Sequence, residues 1–399
     1  MPDITSTMQR RRAAAVVGYV GPRGRPEHML EIYLLTLALS IGIAVVTTLA
    51  LLALSRTERF VGLFQVRGES ERPRWGGVVF LATFALTPLL ASALSSHASE
   101  FLSPKSGSLL GLLAAAALIF LVGFIDDVRL TSPAVRLAVF VTGGIAVYAA
   151  GYRIEHVGLP WGPGVDLGPA GLVVTVLWIT AATNAINFID GRDGVSLGVA
   201  IFACVTMAQI GAHSSHPTVA LLLVALAGAG LGFLPFNLPP ASSYVGDSGA
   251  YVLGFILGTL SIRAATGPSN EIFLAVPLIA LGYPILDLSL AAVRRSLQHR
   301  HPMVGDEDHM HHRLEQLGVG PRGILVVVYA LAALFSVSAI VIHYISNTWF
   351  QAAVFGALVV LVTGTLLRLG YVVTLWNSRS IVWLRQRVFA PEHAPRDGD

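Results

Sequence analysis

The sequence predicts an all-α polytopic membrane protein of about eleven transmembrane helices, on three observations. Only 12% of its residues are charged, against roughly 25% in soluble domains. Hydrophobic residues make up 54% of the chain and the mean hydropathy is +0.70. That is more apolar surface than one globular core can hide, so lipid must solvate much of it. The apolar residues also fall in runs of about 17 or more, long enough to cross a hydrocarbon core as helices. Helices satisfy their own backbone groups in lipid, and the runs lack the ten-residue alternation of an outer-membrane barrel.

In chain order the predicted spans lie near 32–54, 76–96, 108–125, 135–151, 170–186, 195–212, 217–234, 248–262, 271–290, 322–346 and 350–372. The run 248–262 is short and Gly-rich, the least span-like of the set. A basic arm, 1–31, precedes this membrane-embedded domain of 32–375, and a cytoplasmic tail, 376–399, follows it. The single cysteine, Cys204, lies inside an apolar run, which excludes an intrachain disulfide and a thiolate metal site and reads as a core residue. Five arginines cluster in 55–75 (Arg56, Arg59, Arg67, Arg72, Arg74), and Arg294, Arg295, Arg300 and Arg313 follow residue 290. The positive-inside rule makes those loops cytoplasmic. Eleven spans then leave the C-terminus inside and the N-terminus outside. Arg10, Arg11, Arg12, Arg23 and Arg25 in the arm oppose export. Met29 directly precedes the first span, so either translation begins there or the span count shifts by one.

With this topology the outside loops are short, apart from 152–169, whose Gly and Pro residues suggest a small extracytoplasmic hairpin. The inside loops hold the polar chemistry. Asp126 and Asp127 end the third span; NAINFIDGRDGVSLG, residues 184–198, links the fifth and sixth; PFNLPPASSYVGDSGAYVLGF links the seventh and eighth. The longest inside loop, 291–321, contains HRHPMVGDEDHMHHRLEQLG. Each piece has a bland reading as a solvated helix end, a turn or a cap. Their shared face favours function, because ionisable groups at a membrane edge are costly. Converging carboxylates without cysteines suit a hard cation, Mg²⁺ or Mn²⁺. The asparagines, Tyr244 and the glycine turns suit a polar organic ligand, and the histidines and arginines suit phosphate. Nothing points to nucleic acid.

These blocks resemble those of the polyprenyl-phosphate N-acetylhexosamine-1-phosphate transferases. The resemblance spans about residues 30–375 and rests on six blocks in order: ERPRWGG, GFIDDVRLTSPAVRL, NAINFIDGRDGVSLG, FNLPPASSYVGDSGAYVLGF, YPILDLSLAAVRR and DEDHMHHRL. The last block looks like the branch that initiates O-antigen, teichoic acid or cell-wall linker synthesis rather than the muramyl-pentapeptide branch. The resemblance implies a multi-pass enzyme of the bacterial cytoplasmic membrane. Its reaction would be UDP-N-acetylhexosamine, most often UDP-N-acetylglucosamine, plus polyprenyl phosphate giving polyprenyl-diphospho-sugar and UMP, with Mg²⁺. By the same resemblance, Asp126, Asp127 and Asp247 are catalytic, with Asp247 and Asp127 holding the metal. Asn187, Asp190, Asp193, Asn237 and Tyr244 line the nucleotide site, Tyr244 by stacking on uracil. His309, His311 and His312 hold the diphosphate or sugar, and Asn184 and Arg74 support the site. Asp287 shares the face of Arg294 about two turns deeper; supporting the site and satisfying a neighbouring helix are both open. Monomer and homodimer are open as well.

Three positions depart from the family pattern. Arg192 stands where Leu is common, which puts a cation within reach of the nucleotide; Ser242 stands where Lys is common, and Glu307 where Arg is common. These changes leave the donor sugar open among UDP-N-acetylhexosamines. An ion-coupled transporter is the rival from another class. Transporters place their sites near the midplane with repeat symmetry, whereas here the acids sit at helix ends and no internal repeat is visible. A catalytically dead scaffold is the other rival, and it would be expected to have lost acids that this chain keeps.

Overall fold

The computed structural model describes residues 26–56, 72–102, 107–158, 164–267, 271–297, 309–345, 347–368 and 370. Arg59, Arg67, Arg300, Glu307 and the tail 376–399 lie outside them, as does the arm up to residue 25. Residues 26–31, read from sequence as the end of that arm, belong instead to the first helix.

The chain is an all-α polytopic membrane protein. Its helices are α1 (Pro26–Leu54), α2 (Gly76–Leu94), α3 (Ser96–Leu102), α4 (Gly107–Val128), α5 (Pro133–Ala149), α6 (Ala170–Phe188), α7 (Val195–His213), α8 (Pro217–Asn237), α9 (Gly246–Ala264), α10 (Ala275–Ala280), α11 (Gly282–Leu297), α12 (Met310–Gln316), α13 (Pro321–Tyr344) and α14 (Thr348–Arg368). Among the described residues, eight of these are long and apolar enough to cross a membrane: α1, α2, α4, α6, α7, α8, α13 and α14. The predicted fourth span is the 17-residue α5. Where the sequence suggested a hairpin, β1 (His156–Val157) pairs antiparallel with β2 (Val165–Asp166). Its other edge takes β3 (Glu271–Ile272) in parallel.

The run 271–290, predicted as one span, is not one helix. It opens as β3, forms α10, breaks at Leu281 and restarts as α11. Pro284 has no N–H for the carbonyl of Ala280 and its ring crowds that carbonyl, which is the physical reason an apolar run interrupts its helix. α11 then continues to Leu297, past the predicted end, and carries Asp287, Arg294 and Arg295 toward the loop side.

The Gly-rich α9 is the centre of the bundle, packed on by α2, α4, α6, α7 and α8. Nearly every residue from Ser248 to Ala264 is buried. It meets protein rather than lipid, so it needs less hydrophobicity than a peripheral span. Its glycines are contact points where small residues let backbones approach. A Cβ on Gly254 would lie 2.8 Å from the Cα of Thr183, and one on Gly258 would lie 2.7 Å from the Cβ of Ala182. The indole N–H of Trp178 on α6 donates to the Gly258 carbonyl at 3.0 Å and locks the two helices in register.

The same device operates at the other end of α9. Gly123 on α4 faces Ser248, and a Cβ there would lie 2.5 Å from the Ser248 Cα and 2.8 Å from the Tyr251 ring. Gly76 and Gly77 on α2 likewise abut Val245 and Ser248. We expect Gly123→Ala to destabilise the protein by about 1–3 kcal/mol, the usual cost of overpacking. The check is thermal unfolding in detergent. Gly364→Ala, on a face of α14 where an added Cβ meets nothing within 4 Å, should not lower the unfolding temperature and should raise it slightly, because alanine favours a helix interior over glycine.

Candidate active site

Seven helix ends converge at one end of the bundle: the N-termini of α2, α7, α9 and α13 and the C-termini of α4, α6 and α8. The β1–β2 hairpin lies between the opposite ends of α5 and α6. Between the converging ends is a cleft of about 1010 Å³, bordered by Arg74, Asp190, Arg192, Asp193, Asn237, Tyr244, Asp247, Glu315 and Arg322. A smaller hollow of about 250 Å³ shares Asp190, Gly191 and Asp247 with it and adds Asn187, Phe188, Arg295 and His309.

The acid pair at the end of α4 is held on all sides. Asp126 accepts hydrogen bonds at Oδ1 from the Thr131 N–H (2.7 Å) and hydroxyl (2.8 Å). Its Oδ2 accepts from Arg136 (2.9 Å) and the Tyr251 hydroxyl (3.0 Å). This one carboxylate ties α4 to α5 and α9. Asp127 does something different. Its Oδ1 accepts from the Asp247 N–H at 2.8 Å. Its Oδ2 accepts from the Ser248 N–H at 3.0 Å and hydroxyl at 2.6 Å. The Arg74 guanidinium lies 3.4 Å away. The first amides of α9 lack partners within the helix, and Val245 at its N-cap supplies no side-chain bond. Asp127 is therefore the N-cap of α9, supplied from another helix. Gly246 makes the approach possible: its φ of +73° is left-handed, and a Cβ there would lie 2.8 Å from the Asp127 Oδ1.

Two carboxylates remain open. Among the described residues no donor reaches the Asp247 side chain. Asp190 accepts a short bond from Ser196. Burial, reinforced by the charges of Asp247 and Asp127, holds the Asp190 carboxyl well above the usual carboxylate range, against the pull of Ser196 and Arg74. A cation in the cleft would relieve this repulsion. Among the described residues no three His, Cys, Asp or Glu side chains form a complete metal site. Asp247 presents open oxygens, Asp127 has its oxygens filled by donors, and the open neighbour is Asp190.

The nucleotide candidates divide similarly. Asn187 lines the smaller hollow and Tyr244, half-buried, lines the cleft. The Tyr244 backbone bonds to Pro73 and Gly76, at 2.9 and 3.3 Å, which fixes Arg74 opposite it. Asp193 borders the cleft but accepts from the Ala241 N–H at 3.0 Å. Asn237 bridges the Gly194 N–H and the Ser243 carbonyl, both at 3.1 Å. These two hold the walls in place. Asn184 borders neither cavity; its amide donates one turn back to Thr180 at 2.8 Å.

Asp287, whose role the sequence left open, is buried under the histidines. It accepts from the Met310 N–H at 2.9 Å and meets the His309 Nδ1 at 2.7 Å. It sets the start of α12 and the orientation of His309, the one expected histidine that borders the smaller hollow. His311 packs beneath Gly191, and among the described residues neither of its ring nitrogens has a hydrogen-bond partner. Burial, with His312, His309 and Arg192 nearby, pushes its pKa down to about 3 against the charge of Asp287, so the ring is neutral. His312 lies beside it, with ring centroids 4.3 Å apart.

Sequence reasoning missed Thr131, Arg136, Tyr251, Ser196 and Ser248 as partners of the acids, and Arg322 as part of the cleft wall. It read Arg295 only as a topology signal. The structure places Arg295 over the Phe188 ring, 5.4 Å from its centroid, at the edge of the smaller hollow. Arg136, a cation inside an otherwise apolar helix, was the one visible signal, since such a charge requires a buried partner.

The open carboxylate of Asp247 beside Asp190, with Arg74, Arg192 and Arg322 around the cleft at one end of a helical bundle, is an arrangement suited to a phosphorylated ligand. The model of glycosyl transferase family 4 matches residues 109–265. Over 272 residues the chain is 30% identical to the "Probable undecaprenyl-phosphate N-acetylglucosaminyl 1-phosphate transferase" of Bacillus subtilis (strain 168), covering 68% of this chain and 73% of that protein. It is also 30% identical over 324 residues to the decaprenyl-phosphate N-acetylglucosaminephosphotransferase of Mycobacterium tuberculosis H37Rv, covering 74% and 78%. It is 26% identical over 318 residues to the undecaprenyl-phosphate alpha-N-acetylglucosaminyl 1-phosphate transferase of Escherichia coli K12, covering 76% and 83%. The chain belongs to this glycosyl transferase family, the polyprenyl-phosphate N-acetylhexosamine-1-phosphate transferases.

Proposed function

We propose that this protein transfers N-acetylglucosamine-1-phosphate from its UDP-sugar to polyprenyl phosphate and releases UMP, as the first membrane step of a bacterial cell-envelope polysaccharide. The observation that carries this reading is the open carboxylate of Asp247 beside Asp190, in a cleft ringed by Arg74, Arg192 and Arg322 at the edge of a lipid-embedded bundle. Such a cleft is where a soluble nucleotide sugar and a lipid phosphate can meet. With eleven membrane crossings, counting α5, α9 and the broken α10–α11 segment, this end faces the cytoplasm of a bacterial inner membrane.

In the reaction an oxygen of the lipid phosphate bonds to the β-phosphorus of the donor, and the anhydride bond to UMP breaks. The arginines hold the diphosphate, and preorganised charge of this kind stabilises phosphoryl transfer. Tyr244 and Asn187 offer contacts to the nucleotide, and His309, oriented by Asp287, faces the reacting phosphates. Asp247, with Asp190 beside it, would hold Mg²⁺, which when bound neutralises the diphosphate and helps UMP to leave. Asp126 and Asp127 keep this geometry by fixing α9 against its neighbours.

The test uses UDP-N-acetylglucosamine labelled at the β-phosphorus, incubated with the protein, Mg²⁺ and polyprenyl phosphate. Label should enter the organic phase and UMP the aqueous phase. Added UMP should reverse the reaction, because one phosphoanhydride is exchanged for another. Release of UDP with an unlabelled lipid would mean attack at the sugar carbon and would overturn the reading.

A further inference from the structure

Arg192 lies in the turn between α6 and α7, and Glu315 lies in the last turn of α12, 123 residues away. Their side chains form a short ion pair at the border of the cleft, 38% and 48% exposed respectively. The pair joins two segments that both carry site residues: the Asp190–Gly194 turn and the histidine helix. Beneath it His311 packs against Gly191. Glu315 also lies 3.9 Å from the His312 Nδ1. The Arg192 Nε is buried and has no hydrogen-bond partner among the described residues.

This is a poor resting arrangement for an arginine kept only for structure. An exposed ion pair contributes little stability, and the guanidinium fork has a donor left over. A diphosphate carries more charge than one carboxylate and matches the fork in two places. We propose that Arg192 and Glu315 form an exchangeable latch, in which Glu315 holds Arg192 at the border of the cleft until the donor arrives and then yields it to the donor's diphosphate. Glu315 is then a competitor for the donor, and it tunes donor affinity through Arg192 alone. The identity of the donor rests on the function proposed above; the competition between a carboxylate and a diphosphate for one arginine does not.

The test measures UDP affinity by calorimetry on the detergent-solubilised full chain with Mg²⁺, with turnover of the wild type assayed separately. Arg192→Leu should weaken UDP binding about tenfold, the loss expected for charge-assisted bonds. Glu315→Gln should strengthen it by about two- to fivefold, the hold of an exposed pair. The double variant should match Arg192→Leu, because without Arg192 there is nothing for Glu315 to withhold. Thermal unfolding of each variant checks that it is folded. Weaker or unchanged binding in Glu315→Gln would overturn the latch and make the pair a fixed brace. Equal strengthening in the Arg192→Leu background would also overturn it, because Glu315 would then act by general repulsion. If the wild type binds UDP but makes no lipid product, the proposed reaction fails while the same binding ratios still judge the latch. If UDP does not bind at all, both fail.

Discussion

Asp247→Asn is expected to leave the protein folded and to abolish most of its turnover. Among the described residues the Asp247 side chain makes no hydrogen bond, and its backbone N–H keeps its bond to Asp127 whatever the side chain carries. Asparagine has nearly the same shape, so α9 has no reason to move. What disappears is the negative charge nearest the place where the proposed reaction would bring a cation and a diphosphate together. Removing one group that stabilises charge at a reacting centre typically costs about 10²–10³ in rate, and loss of a principal cation ligand should reach at least that. The measurement is initial rate with β-labelled donor at saturating Mg²⁺, alongside thermal unfolding. A rate near the wild type's would remove Asp247 from the chemistry.

Asp127→Asn should behave differently, although the two residues are neighbours. The Asp127 carboxylate serves three donors of α9 and the Arg74 guanidinium. An amide replaces one of its oxygens with a donor, so at least one buried donor of α9 is left facing another. Each such orphan costs about 1–3 kcal/mol. Both thermal stability and turnover should therefore fall, the second because the N-terminus of α9 carries Asp247. A variant as stable as the wild type but without turnover would show that Asp127 acts in the chemistry rather than as a cap.

The contrast between these two carboxylates marks the limit of what the sequence made legible. Apolar runs identified a helical segment at each predicted position, because a lipid-facing helix must be apolar along its whole length. The failures came where that rule weakens. Pro284 interrupts an apolar run from within. The glycines of α9 made the most buried helix look like the weakest span, because the usual meaning of glycine in a helix reverses when another backbone lies against it. The blocks around Asp126, Asp190, Asp247 and His309 were identified as polar islands at helix ends, and the structure brings them to one end of the bundle. Their division of labour was not visible. Asp126 and Asp127 are adjacent in the chain, yet one binds α5 and the other caps α9, about 120 positions further on. Such a distinction depends on which donors the fold delivers to each oxygen, and residue type does not encode it.

The placement of α9 has a consequence for how the protein lives in its membrane. A helix walled off by five others touches almost no lipid, so a change in bilayer thickness or acyl composition acts first on the periphery. There α14 buries only Leu358, and it can tilt at small cost to follow the bilayer. The residue carrying the open carboxylate therefore sits on the part of the molecule best insulated from the material surrounding it. On the proposed reaction, an enzyme that draws one substrate out of a bilayer of changing composition would keep its reaction centre mechanically separated from that bilayer.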